Sequence, residues 1–147
     1  MKTFLFAAAT CLGLIAPMGL VALSTSDARA ARALAYDIKF NQSIVRAQPD
    51  RLTPGDRIVL SHTLWHHAKL AGRIEGVCTI TSGDGTAICN ATAMLDDGTI
   101  ALQFVNAAAT TKEFAVLGGT GAYAGLLGSG TFIAQNDQSG TVMVTLG

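Results

Sequence analysis

Cys78-Thr79-Ile80-Thr81-Ser82-Gly83-Asp84-Gly85-Thr86-Ala87-Ile88-Cys89 is the stretch that decides how this chain folds. Ser82-Gly83-Asp84-Gly85 carries the residue types that reverse a chain between two antiparallel strands. Counting outward from that reversal, 82 faces 85, 81 faces 86 and 78 faces 89. Cysteines directly opposite each other on paired strands lie within disulfide reach. Closing so short a loop is worth about 3 kcal/mol if the gain comes from chain entropy. Two free buried thiols are the alternative reading of the same pair.

On either side of this hairpin the pattern repeats. Segments rich in β-branched or alternating residues recur at a spacing of roughly ten, as in all-β sandwiches and barrels. Strands are expected near Ala33–Arg46, Arg57–Trp65, Lys69–Thr81, Thr86–Leu95, Thr99–Ala107, Thr111–Leu117, Leu127–Gln135 and Gly140–Leu146. Between them lie Pro49 to Asp56, Asp96-Asp97-Gly98 and Asn136 to Ser139, all rich in turn formers. The fold class is therefore all-β. Eight strands is also the number at which a closed antiparallel barrel has room inside for side chains or one small ligand.

Faces follow from the two-residue period of a strand. Ile58, Leu60, His62 and Leu64 share one face and Arg57, Val59, Ser61 and Thr63 the other, so the first set should point inward. Ile74, Cys78 and Ile80 form the apolar face of the next strand, opposite Arg73, Glu75, Thr79 and Thr81. Across the hairpin, Ala87, Cys89, Ala91 and Ala93 line up on the Cys89 face. So many small residues on one inner stripe should leave a cavity.

The N-terminal end reads as an export signal. Lys2 precedes an apolar run from Phe4 to Leu23, and Ala28-Arg29-Ala30 places small residues where a signal peptidase reads them. An apolar run of this length also suits a membrane anchor, but Gly13, Pro17 and Gly19 weaken a stable span. Too little apolar sequence precedes Cys11 for lipid attachment. Cleavage after Ala30 leaves Ala31 to Gly147 as one domain with a single core. The chain's ten basic and ten acidic residues lose Lys2, Arg29 and Asp27 with the segment. The remaining charges nearly cancel, without the basic face that nucleic acid or a membrane surface would need. A secreted or periplasmic location suits the cysteine pair, because disulfides persist there.

Two features suggest cofactors and neither carries through. Gly118-Gly119-Thr120-Gly121-Ala122-Tyr123-Ala124-Gly125 matches a dinucleotide-binding glycine pattern, which requires a full helix, a parallel strand and a later acidic residue. Too little chain follows Gly125, and Gly128 and Gly130 interrupt any helix, so a tight corner or one short helical turn is expected. His62, His66 and His67 are the chain's three histidines. On a continuous strand His62 and His66 would lie about 13 Å apart, too far for one ion. No metal or nucleotide cofactor is expected. No nucleophile elbow and no paired carboxylates are present either.

With these residues laid out, the chain resembles the allene oxide cyclase and dirigent protein family. Gly55-Asp56-Arg57-Ile58-Val59-Leu60 to Leu64 is similar to a glycine-aspartate-led strand of those barrels. Gly76-Val77-Cys78-Thr79 is similar to their glycine–apolar–cysteine strand, and Leu117 to Gly130 to their GGTGxYxGxxG signature. The resemblance implies an eight-stranded antiparallel barrel with a ligand cavity, often assembled as a dimer or trimer. Family members steer a reactive molecule: allene oxide cyclases close a ring and dirigent proteins orient coupling radicals. Ala35-Tyr36-Asp37-Ile38-Lys39 is similar to a Tyr-Glu-Ile-Asn motif, which would place Asp37 at an activating carboxylate and Lys39 at a polar cavity position. His62 falls at a further polar cavity position and Cys78 at a cavity cysteine.

The function expected is that of an exported barrel binding a small apolar molecule, as a cyclase or isomerase that steers ring closure. Asp37 and His62 are its candidate acid–base pair, and Lys39, Ile58, Leu60, Leu64, Ile74 and Ala91 its candidate cavity lining. A non-catalytic binding or structural barrel is the alternative.

Overall fold

Alternation explains the architecture: the barrel strands bury apolar side chains at alternating positions, and the sheet curls until those stripes meet. The computed structural model describes residues 31–48 and 50–147. The expected signal peptide, with Cys11, lies outside them. The strands are β1 (Arg32–Lys39), β2 (Gln42–Val45), β3 (Arg57–His66), β4 (Lys69–Ile80), β5 (Ala87–Leu95), β6 (Gly98–Asn106), β7 (Thr111–Gly121), β8 (Gly128–Ala134) and β9 (Ser139–Leu146). They pair antiparallel in the order β1-β9-β8-β7-β6-β5-β4-β3-β2, and β1 also pairs with β3, which closes an eight-stranded barrel with β2 as an extra strand.

The first expected strand is in fact two. β1 meets β3 through Asp37↔Trp65 to Lys39↔Thr63, and β2 continues along the same edge from Gln42↔Leu60 to Val45↔Arg57. One register covers both, so a single path is interrupted at Phe40-Asn41. The cause is local. The Asn41 N–H donates to His62 Nδ1 at 3.0 Å, and the Phe40 N–H to the Gln138 carbonyl at 2.8 Å.

The hairpin follows the expected register, with Cys78 opposite Cys89, and the two are joined in a disulfide. The Gly85 N–H donates to the Ser82 carbonyl at 3.1 Å, and Gly85 takes φ +87°, a left-handed conformation that glycine adopts without strain. A disulfide is compatible with an oxidising extracellular or periplasmic location.

The glycine run departs from expectation in its first half and meets it in its second. Gly118 to Gly121 extend β7 along β6, with Leu117 bulged out between the pairs Ala101↔Gly118 and Leu102↔Val116. A side chain at Gly119 would collide with the Thr99 carbonyl and with Tyr123, so only glycine lets these strands approach. The reversal comes afterwards, as a short turn closed by the Tyr123 N–H to the Thr120 carbonyl and the Ala124 N–H to the Gly121 carbonyl. No helix follows, so nothing here resembles a nucleotide-binding corner. The turn drops Tyr123 and Leu126 into the core, where they pack with Ile38, Leu64 and Leu146. The Tyr123 hydroxyl donates to Asp97 Oδ1 at 2.6 Å, and Arg32 pairs with the same carboxylate at 3.4 Å.

The small-residue stripe on β5 does not border an open cavity. Ala91 and Ala93 belong to one packed cluster with Phe114 and Phe132, and Ala87 and Cys89 to another with Ile58, Leu60, Cys78 and Ile80. Bulkier side chains of other strands, Phe114 and Phe132 in the first cluster and Ile58, Leu60 and Ile80 in the second, occupy the room that the alanines leave.

Candidate functional site

β3 delivers the one polar group on its inward face. Ile58, Leu60, His62 and Leu64 are all buried, while Arg57 and Val59 on the opposite face are exposed. His62 is 7% exposed and stands edge-on to Phe40, with ring centroids 5.3 Å apart. Its Nδ1 accepts the Asn41 N–H, so the neutral ring carries its proton on Nε2. Burial, the largest cause, lowers the pKa of His62 below the ordinary histidine value, while the hydrogen bond with Asn41 and the Glu75 carboxylate act the other way without overcoming it. Protonation at Nδ1 would also set two donors against each other.

His62 lines a cavity of about 510 Å³ that opens at the end of the barrel carrying the β6–β7 and β8–β9 loops. Its wall is apolar, from Phe40, Leu60, Ile74, Phe104 and Phe132. Its rim is polar, with Gln42, Asn106, Thr110, Lys112, Gln135, Asn136 and Asp137. A concave apolar volume with a few convergent polar groups is the general form of a small-molecule site.

Of the residues singled out in the sequence, His62, Leu60 and Ile74 meet at this cavity. Ile58, Leu64 and Ala91 point inward but lie in the packed core rather than along the cavity. Asp37 and Lys39 require a correction: both are exposed on the outer wall, where the Lys39 ammonium sits 5.2 Å above the ring of Trp65. Strand alternation is the reason. Leu34, Tyr36, Ile38 and Phe40 take the inward positions of β1 and its continuation, so the odd-numbered residues between them face out. Cys78 is consumed by its disulfide. His66 and His67 are exposed at the β3–β4 turn, and among the described residues no group of three or more metal-ligating side chains exists.

Phe40, Phe104, Phe132 and Lys112 were missed by sequence reasoning. Each continues an inward stripe toward the mouth: Ile38 to Phe40, Leu102 to Phe104, Phe132 to Ala134, and on β7 Val116, Phe114 and then Lys112. Extending the alternation to the strand ends would have found them.

Asp56, by contrast, is buried for structural reasons. Its carboxylate accepts the Ala47 N–H at 2.7 Å and the Thr53 N–H at 2.8 Å, which tie the β2–β3 loop down and hold its pKa below the usual carboxylate range.

The site has a restricted chemistry. With Nδ1 occupied, His62 presents Nε2–H, a hydrogen-bond donor in a mostly apolar enclosure. It is equipped to polarise an oxygen of a ligand. It has no free lone pair with which to remove a proton.

No protein-family model matches the sequence, and neither does any curated protein. Solved structures do. The chain is similar to a pyocyanin demethylase at 22% identity and a TM-score of 0.71, covering 79% of this chain and all of that one. It is similar to a pterocarpan synthase dirigent protein at 18% identity and a TM-score of 0.63, covering 80% and 83% of the two chains. An exo-specific intermolecular Diels-Alderase aligns at 16% identity and a TM-score of 0.60, covering 80% and 98%. Dirigent proteins and Diels-Alderase barrels thus share this fold.

Proposed function

We propose that this protein binds a small, largely apolar molecule in the His62 cavity and steers its ring closure or rearrangement. One observation carries the reading: a single imidazole, locked as an Nε2–H donor by the Asn41 N–H, lies in the apolar inner wall of a pocket of ligand size. Such a cavity freezes a flexible molecule in one near-attack geometry. A donor on a carbonyl or ether oxygen then stabilises charge developing there during bond formation. Ring closure of this kind needs no net proton transfer, which suits a histidine without a base function. Of the activities named for the similar barrels, cycloaddition and pterocarpan synthesis support a ring-forming role and demethylation does not; the site works in a protein exported to an oxidising compartment.

Binding without chemistry is the second reading. It is favoured by the outward placement of Asp37, which leaves His62 without a carboxylate partner inside the barrel.

The test is to purify the protein from its native host and identify extracted lipophilic molecules by mass spectrometry. Ala134→Phe, which adds a ring to the cavity wall, serves as the blocked control. A small, mainly apolar compound in the wild type and not in the variant is expected. No such compound, or equal amounts in both, refutes the reading. With the compound in hand, His62→Phe should cut any turnover by about 100-fold, while His62→Gln, which keeps an N–H donor, retains more. Unchanged turnover in His62→Phe removes His62 from the chemistry, and no turnover by the wild type leaves only the binding role.

A further inference from the structure

We infer that the ligand of this cavity carries an anionic head, a carboxylate or an equivalent oxyanion, which Lys112 holds at the rim. The inference rests on the cavity being a ligand site. It adds the chemical class of what enters.

The argument starts from register. On β7 the inward positions are Lys112, Phe114 and Val116, the first half-buried and the others buried. The neighbouring inward stripes end in neutral residues at the same mouth, Asn106 on β6 and Ala134 on β8. A lysine at an inward strand position is unusual, because its ammonium keeps hydration only where the barrel opens. Among the described residues, Lys112 is the sole cation lining the cavity. Among the described residues neither ion pair includes it; these join Arg32 to Asp97 and Arg73 to Glu75.

The ammonium is nevertheless positioned. Lys112 Nζ donates to the Ala109 carbonyl at 2.6 Å, which ties it to the β6–β7 loop at the rim. An ammonium has three donors, so this bond orients the group and leaves capacity for an oxyanion. Below it the wall is Phe104, Phe132 and Ile74, with His62 among them. The gradient from cation at the rim to apolar wall with one neutral donor matches a molecule with an acid at one end and an apolar body. Asp137 also lines the mouth, on the exposed β8–β9 loop, where solvent screens its repulsion of an anion.

Lauric acid and dodecanol, matched in chain length, test this by displacing the neutral fluorophore phenylnaphthylamine below their micelle concentrations, with the acid ionised. The wild type should bind the acid at least about tenfold more tightly than the alcohol, the worth of a charge-assisted hydrogen bond. Lys112→Met should abolish that preference without weakening the alcohol, Lys112→Arg should retain it, and Asp137→Asn should strengthen it slightly. Equal binding of acid and alcohol by the wild type, or a preference that survives in Lys112→Met, overturns the anionic-head inference while leaving the cavity reading intact. Failure of both compounds and of the fluorophore to bind overturns the cavity reading itself, and the inference with it.

Discussion

His62 should make the folded state lose stability as the medium becomes mildly acidic, and the structure sets both the sign and the ceiling. Burial favours the neutral ring, so the folded-state pKa lies below the unfolded one, and the Asn41 N–H on Nδ1 leaves the ring proton on Nε2. Above an unfolded value of about 6.5 the ring is neutral in both states and contributes nothing to the pH dependence. As pH falls through that value the unfolded chain takes up a proton that the folded chain refuses. The stability lost approaches about 1.4 kcal/mol per pH unit and levels off once the folded-state pKa is passed. The carboxylates that hydrogen bonds hold low, Asp56, Asp84 (down to about 2) and Asp97, act in a different window. Their stabilisation is full above the ordinary carboxylate value of about 3.9 and is lost only as pH falls below it. Between about pH 6.5 and 4.5 the contribution of His62 is therefore separable. Urea unfolding of wild type and His62→Gln across that range, with the disulfide kept oxidised, isolates it as a difference of slopes, since His66 and His67 are common to both proteins. Parallel curves, or a wild type that gains stability relative to the variant on acidification, would refute the buried neutral imidazole and with it the tautomer on which the proposed chemistry depends.

Other outcomes follow from the same structure. Replacing both Cys78 and Cys89 with alanine should lower stability by about 3 kcal/mol in denaturant titrations, and a loss below about 1 kcal/mol would mean that the link scarcely constrains the unfolded chain. Intact-mass analysis of exported protein should find a chain beginning at Ala31 that alkylates only after reduction; retention of Met1 or prior alkylation of either cysteine would contradict it. Gly130→Ala should destabilise by about 2 kcal/mol or more, because its methyl group would enter the Met143 carbonyl and the Phe114 ring. Gly83→Ala, which meets nothing, should change stability by less than about 0.5 kcal/mol, so equal effects would show that the close approach is misjudged. Asp37→Asn and Lys39→Ala should leave the affinity for phenylnaphthylamine within about twofold of wild type, as expected for exposed outer-wall residues; a loss comparable to that of a cavity variant would place them in the site after all.

What the amino-acid sequence determined by itself is whatever depends on period and on short-range turn chemistry. The hairpin at Ser82 to Gly85, the pairing of Cys78 with Cys89, the inward face of β3 and the all-β class were all legible, because a two-residue repeat and a four-residue reversal are local facts. The same period, applied to Leu34-Ala35-Tyr36-Asp37-Ile38-Lys39, would have turned Asp37 outward; a motif likeness suggested otherwise, and the register of β1 against β3 and β9 decided it. Tertiary structure alone decided which inward residues face space and which are packed. Ala91 and Leu60 look alike in pattern, yet the alanine lies in the packed cluster with Phe114 and Phe132, while the leucine borders the opening where the β6–β7 and β8–β9 loops end. The break at Phe40-Asn41 was likewise invisible, since it arises when the side chain of His62, distant in sequence, captures the Asn41 N–H. The role of Lys112 depends on the same long-range geometry. Its place on an inward stripe can be counted from Phe114, but only barrel closure puts that stripe's end over the pocket holding His62.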